Sequence, residues 1–233
     1  MEETTPTSRV GAPALVLGFA VGLVASSIVV AVAAGVGDVD DLDELSLWWL
    51  LPAQLGLWGG MLGVPWIIAR LNGERLVDLA SLVPDRRDVG LGLIVGLGMQ
   101  LVVIPLAYLP LLPFLDDDAD LSEAARELTD RADGGAILAL VLISVVGAPI
   151  VEEIFHRGLV QPRLVPRLGP PAAIGITSVL FAATHLQLLQ FPALVLFGVA
   201  VGILAHWRGR LAPAIVAHVV FNATAVVSLL ALD

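Results

Sequence analysis

The sequence predicts an all-α integral membrane protein with about seven transmembrane helices. Of its 233 residues, 58% are hydrophobic and 15% are charged, and the mean hydropathy is +0.92. A soluble domain carries more charge and less apolar surface than this. Uncharged runs long enough to cross roughly 30 Å of hydrocarbon also recur along the chain. The bilayer, and not water, is therefore the expected main solvent.

The predicted spans follow these uncharged runs in order. They lie near 11–35, 46–69, 89–113, 135–166, 170–188, 191–206 and 211–231. Residues 1–133 form an N-terminal part of helices and acidic loops, and residues 134–233 form a C-terminal membrane core. We expect the two parts to make one integrated membrane domain, with a short surface helix over 121–131.

Arginine positions predict the orientation of the chain, because basic residues are enriched in cytoplasmic loops. Two arginines, Arg126 and Arg131, fall on one side of the predicted membrane. Nine fall on the other side: Arg9, Arg70, Arg75, Arg86, Arg87, Arg163, Arg167, Arg208 and Arg210. We therefore predict a multi-pass cell-membrane protein with the N-terminus in the cytoplasm and the C-terminus outside.

The net charge of −10 comes largely from two acidic stretches, 37–44 and 116–120. Both fall in predicted external loops, where a run of like charge is usually a solvated surface. We expect the lipid bilayer as a partner and no nucleic acid. The chain contains no cysteine, which excludes disulfides, thiolate metal sites and a thiol nucleophile.

Ionisable and polar side chains inside the spans mark a candidate site, since a charge there costs at least about 2.5 kcal/mol on insertion scales. These residues are concentrated in the C-terminal half of the chain: Glu152, Glu153, His156, Arg157, His185, His218 and Asn222. The chemistry is therefore expected in residues 134–233.

Spacing along the helices predicts that these residues converge. Glu152 and His185 lie about 16 residues to either side of the turn 167–171, roughly 25 Å along each antiparallel helix. His218 and Asn222 are one turn apart on one helix face. The same spacing pairs Glu153 with Arg157, whereas Glu152 points about 100° away from Glu153.

Three motifs resemble a known family. The sequence 152–157 fits EExxxR, 181–185 fits FxxxH and 218–222 fits HxxxN. Together they resemble the CAAX protease and bacteriocin-processing (CPBP, or Abi) family of intramembrane peptidases, including the type II CAAX prenyl endopeptidases. The resemblance covers about 134–230.

The resemblance implies an endopeptidase with four catalytic residues. Glu152 and His185 would activate a water, and His218 with Asn222 would stabilise the oxyanion. Apart from the resemblance, the cost of burying a charge favours a structural, supporting ion pair for Glu153 and Arg157 over direct catalysis. The family often has phenylalanine where this chain has His156, so tuning of the acid, metal binding and simple packing all stay open for that residue.

No cofactor is implied as obligatory, because the chain lacks a tight metal motif such as HExxH. Zinc is the alternative, with Glu152, His185 and His218 as its ligands. The expected partner is a peptide or protein substrate, including a membrane-associated one. Two rival functions stay open, a non-enzymatic membrane immunity or scaffold protein and a proton-coupled transporter.

Overall fold

The computed structural model of this protein describes residues 10–37, 46–111, 113, 126 and 134–232. This part of the chain is helical and contains no strand, which confirms the predicted all-α membrane class. The acidic stretch 116–120 lies outside the described residues, as does the predicted surface helix over 121–131 apart from Arg126.

The predicted spans correspond to helices with similar bounds. In chain order they are α1 (Ala12–Gly37), α2 (Leu50–Leu71), α3 (Arg86–Tyr108), α4 (Gly135–Leu168), α5 (Pro170–Ala183), α6 (Phe191–Arg208) and α7 (Ala212–Leu232). A 3₁₀ turn, Leu47–Trp49, leads into α2.

The fifth predicted span differs from the structure. Six helices among the described residues are long and apolar enough to cross a membrane, but α5 has only 14 residues. At 1.5 Å per residue it is about 21 Å long, shorter than the roughly 30 Å hydrocarbon core. The apolar run predicted over 170–188 therefore includes a helix and a following turn, because hydropathy alone cannot locate a helix end.

The described chain divides into two compact units, Met1–Asp78 and Leu79–Asp233. In the first unit α1 packs closely on α2. A Cβ added to Gly22 would lie 2.3 Å from the Leu57 carbonyl oxygen, and one added to Gly60 would lie 2.1 Å from the Gly22 nitrogen. Small residues permit this approach, as is usual between membrane helices.

The second unit contains all the candidate site residues. Its α3 packs against α7, where a Cβ at Gly96 would lie 2.6 Å from the Ala217 carbonyl oxygen. Phe181 of α5 and Phe197 of α6 are fully buried in the core beside Ala217. Gly92 and Gly96 thus hold α7, the helix of the HxxxN motif, against α3.

A charged cluster joins α3 to the segment between α6 and α7. The Asp85 side chain accepts from the Asp88 amide and the Asp88 side chain accepts from the Asp85 amide, forming a capping box at the start of α3. Asp88 is fully buried and pairs with Arg208 at 2.9 Å and Arg210 at 3.2 Å. Gly209 between these arginines has φ of +63°, which suits the C-terminal end of α6.

Three π-helical segments interrupt the long helices. Met99–Val103 lies in α3, and Leu142–Gly147 and Ile154–Val160 lie in α4. A π segment has i to i+5 hydrogen bonds and frequently occurs at functional sites. Both segments of α4 lie next to candidate site residues. Because π-helical turns contain more residues than α-helical turns, side chains of α4 point in different directions from those of a regular α-helix.

Candidate active site

Glu153 of α4 is at the centre of the buried polar group. Its side chain is fully buried, and its Oε1 accepts from Arg157 Nη1 at 3.0 Å. The same oxygen lies 2.9 Å from His218 Nδ1. The pair expected from i, i+4 spacing is therefore present, and Glu153 also binds a histidine of α7.

Arg157 is held on three sides. Besides Glu153, its Nη2 donates to the Gly198 carbonyl of α6 at 2.9 Å. Its guanidinium carbon lies 4.8 Å from the centre of the Phe181 ring, in cation–π range. One arginine thus links α4, α5 and α6 beneath the two glutamates.

Glu152 points to a different place from Glu153, as the sequence predicts. Its Oε2 lies 3.8 Å from His218 Nε2, and its side chain is 17% exposed. His218 therefore has one carboxylate near each ring nitrogen. The distance of 3.8 Å is within ion-pair range but is longer than a hydrogen bond.

His156 does not bind the Glu152 carboxylate. Its Nδ1 lies 3.0 Å from the Glu152 backbone oxygen, a local contact within α4. The ring packs edge-on against Phe155 and Phe181 and is almost fully buried. Among the functions left open by the sequence, these contacts favour packing.

His185 lies just beyond the end of α5, whereas the sequence predicts it inside a span. Its backbone N–H donates to the Ala182 carbonyl, and its Nδ1 lies 2.8 Å from the Phe181 carbonyl oxygen. The carbonyl can only accept, so Nδ1 carries the proton and Nε2 has the free lone pair. His185 belongs to a turn, 184–190, between α5 and α6.

Asn222 is oriented by a π-helical segment of α4. Its Nδ2 donates to the Ser144 backbone carbonyl at 2.7 Å. Ser144 lies within Leu142–Gly147, where the altered helical hydrogen bonding makes a backbone carbonyl accessible to a side chain. One amide hydrogen of Asn222 is used in this bond and the second is available to another acceptor.

A cavity of about 190 Å³ brings together predicted residues of two elements, the 184–190 turn and α7. His185, His218 and Asn222 line it with Ser144, Gln187 and Gln190. Its apolar wall consists of Leu140, Phe181, Leu194, Phe197, Phe221, Ala225 and Val226. Glu152 and His185 are not joined by a hydrogen bond or ion pair in the described part of the chain. His185, His218 and Asn222 thus line one cavity, as predicted. Glu152 does not line it, but its carboxylate lies within ion-pair distance of His218.

Comparison with known proteins finds a family that this region resembles. Residues 134–224 match the family model "Type II CAAX prenyl endopeptidase Rce1-like". The match spans all three motifs and confirms the resemblance. No curated protein and no solved structure matches the chain. At the family level, the CAAX endopeptidase match supports a membrane-embedded protease.

The alternative zinc set does not fit a metal site in this CAAX endopeptidase-like region. Among the described residues, no three His, Asp or Glu side chains are grouped so that they could hold a metal ion. Glu152, His185 and His218 therefore do not form the ligand set that the zinc alternative requires. The carboxylate closest to His218 is that of Glu153, which was not among the three predicted zinc ligands.

Several residues of the site were not identified from the sequence. Phe181, the first residue of the FxxxH motif, packs against His156, His185 and His218 with ring centres 4.7–5.7 Å apart. Gln187 and Gln190 line the cavity. The sequence does offer a signal for Gln187 and Gln190, because they are two polar residues in an otherwise apolar segment that follows the FxxxH motif.

Proposed function

We propose that this protein is an intramembrane endopeptidase that hydrolyses a peptide bond with an activated water. The observation that carries the proposal is the cavity lined by His185, His218 and Asn222, with both glutamates within ion-pair distance of His218. The family match supports the protease class. The substrate would be a peptide or protein in or at the membrane.

In the proposed chemistry, Glu152 is the general base. Its carboxylate is partly exposed and the buried Arg157 pairs with Glu153, so Glu152 is available to take a proton from water. His185 Nε2 accepts the second hydrogen bond of that water and fixes its position. As the water oxygen bonds to the carbonyl carbon, its proton moves to Glu152, which passes it to the leaving nitrogen when the C–N bond breaks.

His218 and Asn222 would stabilise the oxyanion of the tetrahedral intermediate. The second N–H of Asn222 Nδ2 is the first donor. Because His218 Nδ1 donates to Glu153, the second donor must be Nε2–H, which requires the imidazolium form. One such donor is worth roughly 3 kcal/mol in the transition state.

Glu153 and Arg157 have a supporting function in this proposal. Glu153 fixes the tautomer and orientation of His218, much as a carboxylate orients the histidine of other hydrolases. Arg157 pairs with the buried Glu153 and links it to α6. His156 completes the packing beside Phe181.

The test compares membranes from cells carrying the intact protein, Glu152→Gln and the loop control Glu74→Gln. We expect a defined uncleaved peptide or protein to accumulate only with Glu152→Gln, because a neutral amide cannot take the water proton. Purified Glu152→Gln, matched for folded amount, should lack turnover. Full activity in this variant would rule out the proposed base.

The same comparison separates the rival functions. A membrane immunity or scaffold protein would keep its cellular phenotype in Glu152→Gln. A proton-coupled transporter would give solute flux in vesicles without any new peptide terminus. Identification of the cleaved product by its new N-terminus supports the endopeptidase alone.

A further inference from the structure

The turn between α5 and α6 carries three of the polar residues that line the cavity. His185, Gln187 and Gln190 all lie within 184–190, outside both helices. Their position therefore depends on the backbone of this turn. A catalytic group displaced by about 1 Å can lose about 100-fold in rate, so whatever holds the turn affects the chemistry.

Local hydrogen bonds hold parts of this turn: the backbone N–H groups of His185 and Leu186 donate to carbonyls at the end of α5, and that of Phe191 donates to Leu188. Leu186 has φ of +56°, the left-handed region that a branched side chain disfavours. Leu186 and Leu188 are 89% and 91% exposed, so they bury little apolar surface within the protein. Such a backbone conformation persists only when its surroundings determine it.

Tyr108, at the end of α3, supplies a contact from a distant part of the chain. Its hydroxyl donates to the Leu189 carbonyl at 2.6 Å, across 81 positions of sequence. The residue is only 3% exposed, so its hydroxyl is committed to this backbone partner.

We infer that Tyr108 is a positioning residue that sets the conformation of the 184–190 turn and hence the placement of His185 and Gln187 in the cavity. This inference rests on the proposed function, in which that cavity binds the substrate. Tyr108 does not line the cavity and takes no part in the bond-breaking steps. It acts through the Leu189 carbonyl, with the turn as the element that it positions.

The test uses Tyr108→Phe, which keeps the ring and removes the hydroxyl. We expect kcat per folded enzyme to fall roughly 10- to 100-fold, with KM changed less than about threefold. The matched control is Thr224→Val, which removes a hydroxyl that donates to the Val220 carbonyl within α7. The control should retain wild-type turnover.

A spectroscopic measurement separates positioning from general stability. The chain has four histidines, so the ring resonances of ¹⁵N-histidine-labelled protein can be assigned one by one. In Tyr108→Phe the resonances of His185 should shift, whereas those of His206 should not. Unchanged His185 resonances together with unchanged kcat would overturn the inference, even if the melting temperature falls.

The test also covers two other outcomes, an inactive wild-type protein and a Tyr108→Phe variant that does not fold. If the wild-type protein cleaves no peptide, the proposed function fails, but the His185 resonances still report whether Tyr108 sets the turn. If Tyr108→Phe does not fold, global 3-fluorotyrosine labelling changes this position alone, because the chain has one tyrosine. A stronger hydrogen-bond donor at 108 should then shift the His185 resonances, and an unaltered spectrum would contradict the inference.

Discussion

His218 Nδ1 lies 2.9 Å from Glu153 Oε1, although the two residues are 65 positions apart and belong to different helices. The contact links the EExxxR motif of α4 to the HxxxN motif of α7. It gives the second glutamate two partners, since the same oxygen accepts from Arg157. Glu153 is therefore expected to affect both the stability of the protein and the orientation of His218, the histidine proposed to bind the oxyanion.

Replacing Glu153 by Gln should lower stability and turnover together. The change leaves the buried Arg157 charge unpaired, which typically costs about 3–5 kcal/mol. In the double variant Glu153→Gln/Arg157→Met the unpaired charge is gone, so stability should largely return. Turnover should stay low, because the proposed oxyanion donor is a cationic His218, and a neutral amide pairs with a cation less strongly than a carboxylate does. Wild-type turnover per folded double variant would contradict the proposed function of Glu153.

Asn222→Ala should reduce kcat by roughly 100- to 1000-fold, the usual loss for one oxyanion donor. KM should change little, because the interaction forms mainly in the transition state. Asn222→Asp keeps the size of the side chain but sets a carboxylate against the Ser144 carbonyl, so it should also lower the melting temperature. Steady-state kinetics on one peptide distinguishes the two effects, and a kcat within twofold of wild type for Asn222→Ala would exclude an oxyanion function.

Gly96→Ala should destabilise the packing of α3 on α7, by roughly 1–3 kcal/mol for overpacking. The added Cβ would lie 2.6 Å from the Ala217 carbonyl oxygen and 2.8 Å from Val220 Cβ. Gly98 provides a matched control in the same helix, because a Cβ there meets nothing within 4 Å. Gly98→Ala should be neutral or slightly stabilising. Equal melting temperatures for the two variants would argue against close α3–α7 contact.

The charged cluster at the start of α3 should make stability depend on pH in the acid range. The backbone amide of Asp88 donates to Asp85 and lowers the pKa of that carboxyl below its ordinary value of 3.8, and Arg208 and Arg210 act in the same direction. Such a group contributes stability above its ordinary pKa, and the contribution is lost as pH falls through the lower folded value.

The prediction is that the melting temperature of the wild type falls as pH drops below about 3.8, and that Asp85→Asn shows a smaller fall over this interval. Parallel profiles for wild type and Asp85→Asn would show that the cluster does not carry this dependence.

The orientation predicted from the arginines can be tested by reporter fusions. We expect a cytoplasmic signal after Arg75 and an external signal at the C-terminus, as required by a cytoplasmic N-terminus and seven spans. The short helix α5 makes the C-terminal fusion the informative one. A cytoplasmic C-terminus would mean that α5 and the turn after it do not complete a crossing.

Much of the fold and part of the site follow from the sequence alone. Long apolar runs define membrane helices because lipid leaves few alternatives for the backbone. The Glu153–Arg157 pair follows from i, i+4 spacing, since it depends only on local helix geometry. The three motifs indicate the same family as the match over residues 134–224.

Contacts between helices were harder to predict. The Glu153–His218 contact depends on how α4 faces α7, and the π segment Ile154–Val160 changes that facing. The end of α5 was missed because Leu186, Leu188 and Leu189 continue the apolar run through a turn. Periodicity and hydropathy describe one helix at a time, whereas these features arise from packing between helices.

The π segment Leu142–Gly147 gives α4 an unusual sensitivity to chain length. A π segment contains an extra residue relative to an α-helix with the same ends, so a one-residue deletion within it can restore regular α-helical bonding. The deletion would leave the apolar character of the span intact. It would also withdraw the Ser144 carbonyl from Asn222. Related chains with a shortened segment at this point should therefore insert normally into membranes while lacking the contact that orients this asparagine.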